Sequence, residues 1–381
     1  MTYLVKTGVI GAAIMPHVTG LKQSLEEVLY DVTQRALRDA GLTIEDIDGI
    51  VTGGNDQYDG RAISVMAASG SVGGVDRDIL STPSSGEHAF VMGTLRVASG
   101  HFKTQLIVAW SPTEASSLAE VQRLAADPYF HRRLPQDEMG AHAMQANVLL
   151  AQMPGLMETA QKVSAKNRSN GQSAYPGIAA DGEMGSRYPL KAGMASAATT
   201  GAVALVLASE DFVAEHKIAN VAWISGMGWA TDAAFIGDRD LSQSPALVAA
   251  AEQAYGAAGI TDALASFDVA ELADATPFQE LLAYEALGLA KRGDWKDSVE
   301  SGVFSKSGKL PVNLSGGAQS LNPVYCSGLI RIAEVALQVL GRAGAHQLEN
   351  VRTGLAHAAS GDAMMYNTVV VMRRGEQGVS P

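Results

Sequence analysis

The chain has 381 residues, 47% hydrophobic and 18% charged, with a formal net charge of −12 at pH 7. That length exceeds one small core, so two domains or one large duplicated unit is expected. The acidic balance argues against nucleic acid as a partner, and a single cysteine, Cys326, excludes a disulfide framework and a cysteine-rich metal site.

The first residues lack a basic region followed by a long apolar core, and no apolar run is long enough to span a bilayer. A soluble, cytoplasmic protein with no membrane partner is the expectation. Val5 to Ala13 reads as an apolar strand. Leu25, Val28, Leu29, Val32, Ala36, Leu37 and Ala40 keep helical spacing and stop at Gly41. Ile50 to Gly54 is a short strand. This β–α–β opening predicts a parallel sheet covered by helices.

Leu80 to Gly100 follows as a tight turn feeding a buried helix. Ser84, Ser85 and Gly86 stand at the helix start, and Glu87 places an acid in its first turn. Such a turn presents one residue to a cavity, backed by free backbone N–H groups. Here the apex is Pro83, which is not a nucleophile. Thr104 to Trp110 is a strand apolar enough to be buried on both faces.

Ser111 to Tyr188 carries five prolines and two of the eight histidines, and reads as a long excursion of helices and loops. Within it, Thr159 to Gly171 is helical and basic on one face. Gly201 to Ala208 returns as a buried strand. The pattern then restarts: a strand from Asn220 to Gly228, a helix from Pro245 to Gly259, a strand from Phe267 to Leu272, and a helix from Thr276 to Gly288. A Gly-rich loop at Asn313, a buried helix from Ser327 to Leu340, and strands Arg352 to Ala359 and Tyr366 to Met372 complete it. We read a pseudo-duplication with its seam near His216 to Asn220, giving domains of 1–217 (with the excursion at about 111–188) and 218–381.

Five segments in this order resemble the thiolase superfamily, in its sterol-carrier-protein-type branch. They are Ala160-Gln-Lys-Val-Ser-Ala-Lys-Asn-Arg, Gly201-Ala-Val-Ala-Leu-Val-Leu-Ala-Ser-Glu, Glu271-Leu-Ala-Asp-Ala-Thr-Pro-Phe, Tyr284-Glu-Ala-Leu-Gly and Asn313-Leu-Ser-Gly-Gly. The resemblance implies an α/β fold, the five-layer αβαβα sandwich of two pseudo-duplicated halves, with a homodimer as the expected assembly. It also implies where reactive groups should stand. The nucleophilic cysteine position is Pro83. One histidine position is Ala273, another is Asn322 in Leu321-Asn-Pro, and the second cysteine region reads His357-Ala-Ala-Ser-Gly361. Claisen chemistry needs a thiolate and a second acid–base group, so the usual thiolase or acyltransferase activity is not expected. Cys326, at the start of a buried helix, reads as an inert small hydrophobe.

The chain is most similar, within that superfamily, to the cysteine-less steroid side-chain aldolases. That resemblance implies retro-aldol cleavage of a 3-hydroxyacyl-CoA into a ketone and a short acyl-CoA, in steroid degradation and lipid metabolism, with a partner carrying an OB-fold (DUF35) domain. The CoA thioester is substrate, and no tightly bound cofactor or metal is expected. Candidate catalytic groups are Tyr366, His357, His88, Asn322 and the backbone N–H of Gly361; the last two would donate to the thioester oxygen. Asp274 reads as a helix cap. For CoA, the candidates are Lys166, Asn167 and Arg168 on the basic helix, whose other reading is a solvated face, and Ser315 and Gly316 by backbone. Two alternatives stay open: a non-catalytic acyl-CoA-binding scaffold subunit, whose pocket side chains would fill, and an acyltransferase using Ser84 or Ser85 with His88 as base.

Overall fold

The computed structural model describes residues 5–15, 22–83, 85–134, 136–176, 187–195 and 197–375. Nine strands form one mixed sheet: β1 (Thr7–Ile14), β2 (Gly49–Gly54), β3 (Asp78–Pro83), β4 (Thr104–Ser111), β5 (Gly201–Ser209), β6 (Ala222–Thr231), β7 (Val269–Glu271), β8 (Thr353–Ser360) and β9 (Tyr366–Arg374). Their order is β3-β2-β4-β5-β1-β6-β9-β8-β7. Seven helices bear on the site: α1 (Leu25–Ala40), α2 (Gly86–Ala98), α3 (Glu138–Gln152), α4 (Leu156–Ala174), α5 (Pro245–Ala258), α6 (Pro277–Ala286) and α7 (Ser327–Leu340).

The sheet reads the same outward from its centre in both directions. β1 and β6 meet antiparallel at Gly8–Trp223 and Val9–Ala222. Beyond them, β5 and β9 run antiparallel to their neighbours, and β4 pairs parallel with β2 as β8 does with β7. Parallel β3 closes the first half. In the second half its place holds only a parallel bridge between Ala270 and Val312.

Each strand alternates between two cores, the period-2 consequence of pleating. Val9, Ile107, Val203, Leu205, Val370 and Met372 face a central core with Phe90 of α2 and Leu329 and Val335 of α7. Ile10, Leu106, Val108 and Val206 face outward onto Val28, Leu29 and Val32 of α1. Leu355, Val369 and Val371 face α5 and α6. This is the helix–sheet–helix–sheet–helix layering expected, with α2 and α7 in the middle layer.

Local chemistry fits the elements. Ser24 and Glu27 close a reciprocal capping box on α1, and Gly41 ends it at φ 71°. Pro245 begins α5 and Gly259 ends it. The excursion contributes α3 and α4, whose Ala146, Leu149, Leu156 and Val163 pack with Phe278 and Leu281 of α6. Among the described residues, no helix is long and apolar enough to cross a membrane.

Two local expectations are corrected. The stretch before Pro83 is not only a turn; it is edge strand β3, whose mixed exposure hides its period. Ser85 holds the N-cap position of α2, but at φ 61° its side chain makes no capping bond. Ser84 lies outside the described residues.

α2 and α7 cross so closely that a Cβ on Gly86 would stand 2.7 Å from Leu329 Cβ and 2.8 Å from Ala109 Cβ. Phe90, fully buried, fills the space one turn on. Phe90→Ala should therefore cost about 3–5 kcal/mol, read by denaturant unfolding; a loss below about 1 kcal/mol would mean that the middle layer is loosely packed.

Candidate active site

A cavity of about 1620 Å³ opens where the middle-layer helices begin. Pro83 ends β3, and Ser85 and His88 follow at the start of α2. Asn322, Tyr325 and Ser327 lead into α7. Gly361 and Asp362 follow β8, and Tyr366 opens β9. Carboxyl ends of parallel strands and amino ends of helices converge there, the place where open α/β sheets receive ligands. The duplication aims both helix N-termini at one volume, so their N–H groups favour negative charge in it. The main chains are tied together: Gly86 N–H donates to Tyr325 O at 2.8 Å.

Tyr366 and His88 are half-buried, with ring centroids 5.5 Å apart and planes nearly perpendicular at 84°. Asn322 and Gly361 line the same cavity. Gly361 sits at φ 73°, and Ala363 and Met364 also take positive φ. Arg239 pins this strained turn by donating to the carbonyls of Asp362 and Ala363, both at 2.6 Å.

His357 is elsewhere. It lies on β8 on the same face as Leu355, fully buried and away from the cavity lining. Its Nε2 is 3.0 Å from Asn367 Oδ1, and burial pushes the imidazole down to about 4. The period-2 alternation carries its side chain to the outer core, which excludes it from the cavity.

The expected CoA contacts are also displaced. Lys166 turns inward to Glu280 at 2.9 Å and Val312 O at 3.0 Å. Asn167, fully buried, donates to Asp274 at 2.7 Å and to Glu280 at 2.5 Å. Arg168 is half-buried against Gly193. Ser315 donates to Glu271 at 2.6 Å and accepts from Arg331 at 2.7 Å, and Gly316 packs on Gly171. None of the five lines the cavity. The face of α4 that looked basic in sequence is consumed by buried carboxylates, because an uncompensated buried charge is very costly.

Asp274 is a cap, but of another helix: its Oδ1 accepts Ala318 N–H at 2.6 Å, at the start of the short helix Gly317–Ser320. Burial and the neighbouring Glu280 raise its carboxyl to about 7. Cys326 is fully buried and donates to Gly201 O at 3.6 Å, and burial pushes its thiol up.

Sequence reasoning missed the acid–base groups that the excursion brings to the cavity. Glu138, the first residue of α3, lines the cavity, and His142 follows one turn later. His142 Nε2 is 3.8 Å from Glu138 Oε1, and its Nδ1 is 3.0 Å from Gln279 Nε2. Burial, with Asp362, Asp137 and Glu87 nearby, lifts Glu138 to about 7. Burial lowers His142 to about 4. The i, i+4 spacing of Glu138 and His142 was a readable signal that they share a helix face.

Residues 228–374 match the family described as thiolase C-terminal domain-like. The chain is similar to members of the thiolase-like superfamily. It is 30% identical over 175 residues to an acetyl-CoA acetyltransferase of Methanothermobacter thermautotrophicus, covering 45% of each chain. It is 34% identical over 167 residues to sterol carrier protein 2 of Gallus gallus, covering 42% of this chain and 30% of that one. These matches thus span under half the length of those relatives. The structure of an Ltp2-ChsH2(DUF35) aldolase superposes with a TM-score of 0.79 at 19% identity, covering 98% of this chain and 99% of that one. In this thiolase-like fold a large cavity lies at the central turn, and proline stands at the apex of that turn.

The Glu138 carboxyl predicts a pH dependence of stability. Below its ordinary value of 4.5, folded and unfolded chains are both protonated there and it contributes nothing. As pH rises towards about 7, the unfolded chain releases the proton first and stability falls. Glu138→Gln should therefore leave stability nearly unchanged at about pH 5 and raise it by on the order of 3 kcal/mol at about pH 8. Unfolding curves with the same difference at both pH values would show that this carboxyl is not raised.

Proposed function

We propose that the chain is a carbon–carbon lyase acting on a 3-hydroxyacyl-CoA. It breaks the Cα–Cβ bond in the retro-aldol direction and releases a ketone and a shortened acyl-CoA. The observation that carries this reading is Pro83 at the apex of the central turn, facing a large cavity that retains proton-transfer groups. A covalent acyl-enzyme at that apex is impossible, whereas retro-aldol cleavage needs only a base, an acid and stabilisation of an enolate.

The roles follow from position. Asn322 and the N–H of Gly361 donate to the thioester oxygen as charge builds there, supported by the amino ends of α2 and α7. Tyr366, beside His88, returns a proton to Cα. Met139, Met365, Phe130 and Phe235 give the cavity apolar walls suited to a bulky acyl group of the steroid side-chain type. Likeness to an aldolase whose name includes a DUF35 component supports a partner of that kind, alongside a homodimer. An open cavity counts against a scaffold subunit with a filled pocket. For the acyltransferase reading, the contact seen between His88 and Ser85 is main chain, N–H to carbonyl at 3.2 Å, and supplies no base to the hydroxyl.

Incubation with 3-hydroxyacyl-CoA esters, with product detection by mass spectrometry, should reveal a ketone and a shorter acyl-CoA. Tyr366→Phe should lower turnover by about 10²–10⁴-fold with folding intact; unchanged turnover removes Tyr366 from the mechanism. Pro83→Cys should not produce thiolysis, because Ala273 and Asn322 stand where partner histidines are needed. Thiolase activity in that variant would overturn the assignment of those positions.

A further inference from the structure

The first-half excursion brings into the cavity a carboxyl group that none of the thiolase-like segments contains. Glu138 is held by Gln122 of the helix Leu118–Ala125. The Gln122 side-chain amide donates to Glu138 Oε2, and its oxygen accepts Glu138 N–H at 3.4 Å. Oε1 is left on the side of His142, at 3.8 Å, which is beyond a hydrogen bond. Gln279 of α6 donates to His142 Nδ1, so the imidazole carries its proton on Nε2, towards the carboxyl. About a fifth of the Glu138 side chain remains exposed, at 22%, and it lines the cavity. Held at Oε2 and open at Oε1, the carboxyl is set to receive a proton from a ligand.

We propose that Glu138 is the acid–base group of this cavity and takes up the hydroxyl proton of the substrate, with His142 and Gln122 as positioning residues. This rests on the retro-aldol reading for the identity of the proton. The step balances. The O–H bond breaks and its proton goes to Glu138, Cβ–O becomes a carbonyl, the Cα–Cβ pair becomes the enolate double bond between Cα and the thioester carbon, and the thioester carbonyl pair moves onto its oxygen. Cα is then protonated by Tyr366. Both groups return to their starting states by exchange with water, and no oxidant or reductant is needed.

The surroundings suit the role. Asp137 caps the same helix, Asp362 faces Glu138 from the turn after β8, and Glu87 does so from α2. Asp137 is itself paired with Arg187 at 2.7 Å. Asp362 has His131 and Arg239 nearby, and among the described residues Glu87 Oε1 has no hydrogen-bond partner. Tyr325, from the start of α7, is a neutral phenol whose proton burial and Glu138 together retain. His142 is neutral as well. With like charges around it and burial behind it, the carboxyl reaches about 7, where one group can accept a proton and give it back at neutral pH.

Two measurements on the full chain test this. With a 3-hydroxyacyl-CoA that turns over, kcat should show an acid limb near the Glu138 value. Glu138→Gln should erase that limb and lower kcat by about 10²–10⁴-fold, with little change in KM. Retention of wild-type kcat and limb overturns the proposal. The second measurement needs no turnover: carbodiimide labelling with glycine methyl ester, mapped by mass spectrometry across pH, with and without acetyl-CoA. A midpoint near 7 at Glu138 with protection by acetyl-CoA supports the acid–base role, even if no 3-hydroxyacyl-CoA is cleaved; in that case only the retro-aldol reading falls. A midpoint in the ordinary carboxylate range without protection overturns the proposal.

Discussion

The close crossing of α2 and α7 at Gly86 is the constraint on which the rest of the structure depends. With Leu329 Cβ 2.7 Å from where a side chain would begin, only glycine lets the two helices touch. That contact makes one middle layer serve both half-sheets, so β4 and β5 on one side and β8 and β9 on the other bury both faces. It also brings the two helix starts together, which makes one cavity out of two half-sites. A side chain at residue 86 would separate Pro83 from Asn322 as surely as it would loosen the core.

Burying both faces of the central strands forces polar residues between layers to find partners inside. Glu271 binds Arg331 at 2.9 Å and Ser315 at 2.6 Å. Glu280 binds Lys166 and Asn313, and Glu334 binds His346 at 2.8 Å as well as Tyr175. Breaking one such pair leaves an uncompensated charge, at a cost of about 3–5 kcal/mol. The same desolvation lifts Glu138 and Asp274 to about 7 and lowers His142 and His357 to about 4. Geometry decides which of these shifted groups can act. Glu138 opens on the cavity, whereas His357 is enclosed by β8 and β9.

What the sequence revealed follows from whether the signal was local. Helical spacing ending in glycine located α1 and α5, and continuous apolar runs located β4 and β5. Pro83 was legible as the apex because turn and helix start are adjacent in the chain. β3 was not, since an edge strand with one mixed face lacks a clean alternation. Lys166 and Asn167 looked like a basic surface because their partner, Glu280, is more than a hundred residues away. His357 was misplaced by one strand face, an error that period 2 makes total. Glu138 was overlooked because nothing near it in sequence says that Asp362 and Glu87 converge on it.

The duplication itself explains why the reactive wall comes from outside it. Each half contributes a helix start to the cavity: Ser85 at α2 from one, Tyr325 and Ser327 at α7 from the other. Such equivalent pieces supply main-chain donors in pairs, which suits holding an oxyanion. They do not by themselves distinguish an acid from a base, which needs unlike environments. The excursion exists in the first half alone, and it lays α3 across the second half's α6, where Gln279 orients His142 and His142 faces Glu138. Asymmetry enters a nearly symmetric cavity through that one insertion, and it places a carboxyl of raised pKa in the cavity that Tyr366 and His88 also line. A fold that cannot form a thioester at Pro83 thereby still holds what proton transfer needs.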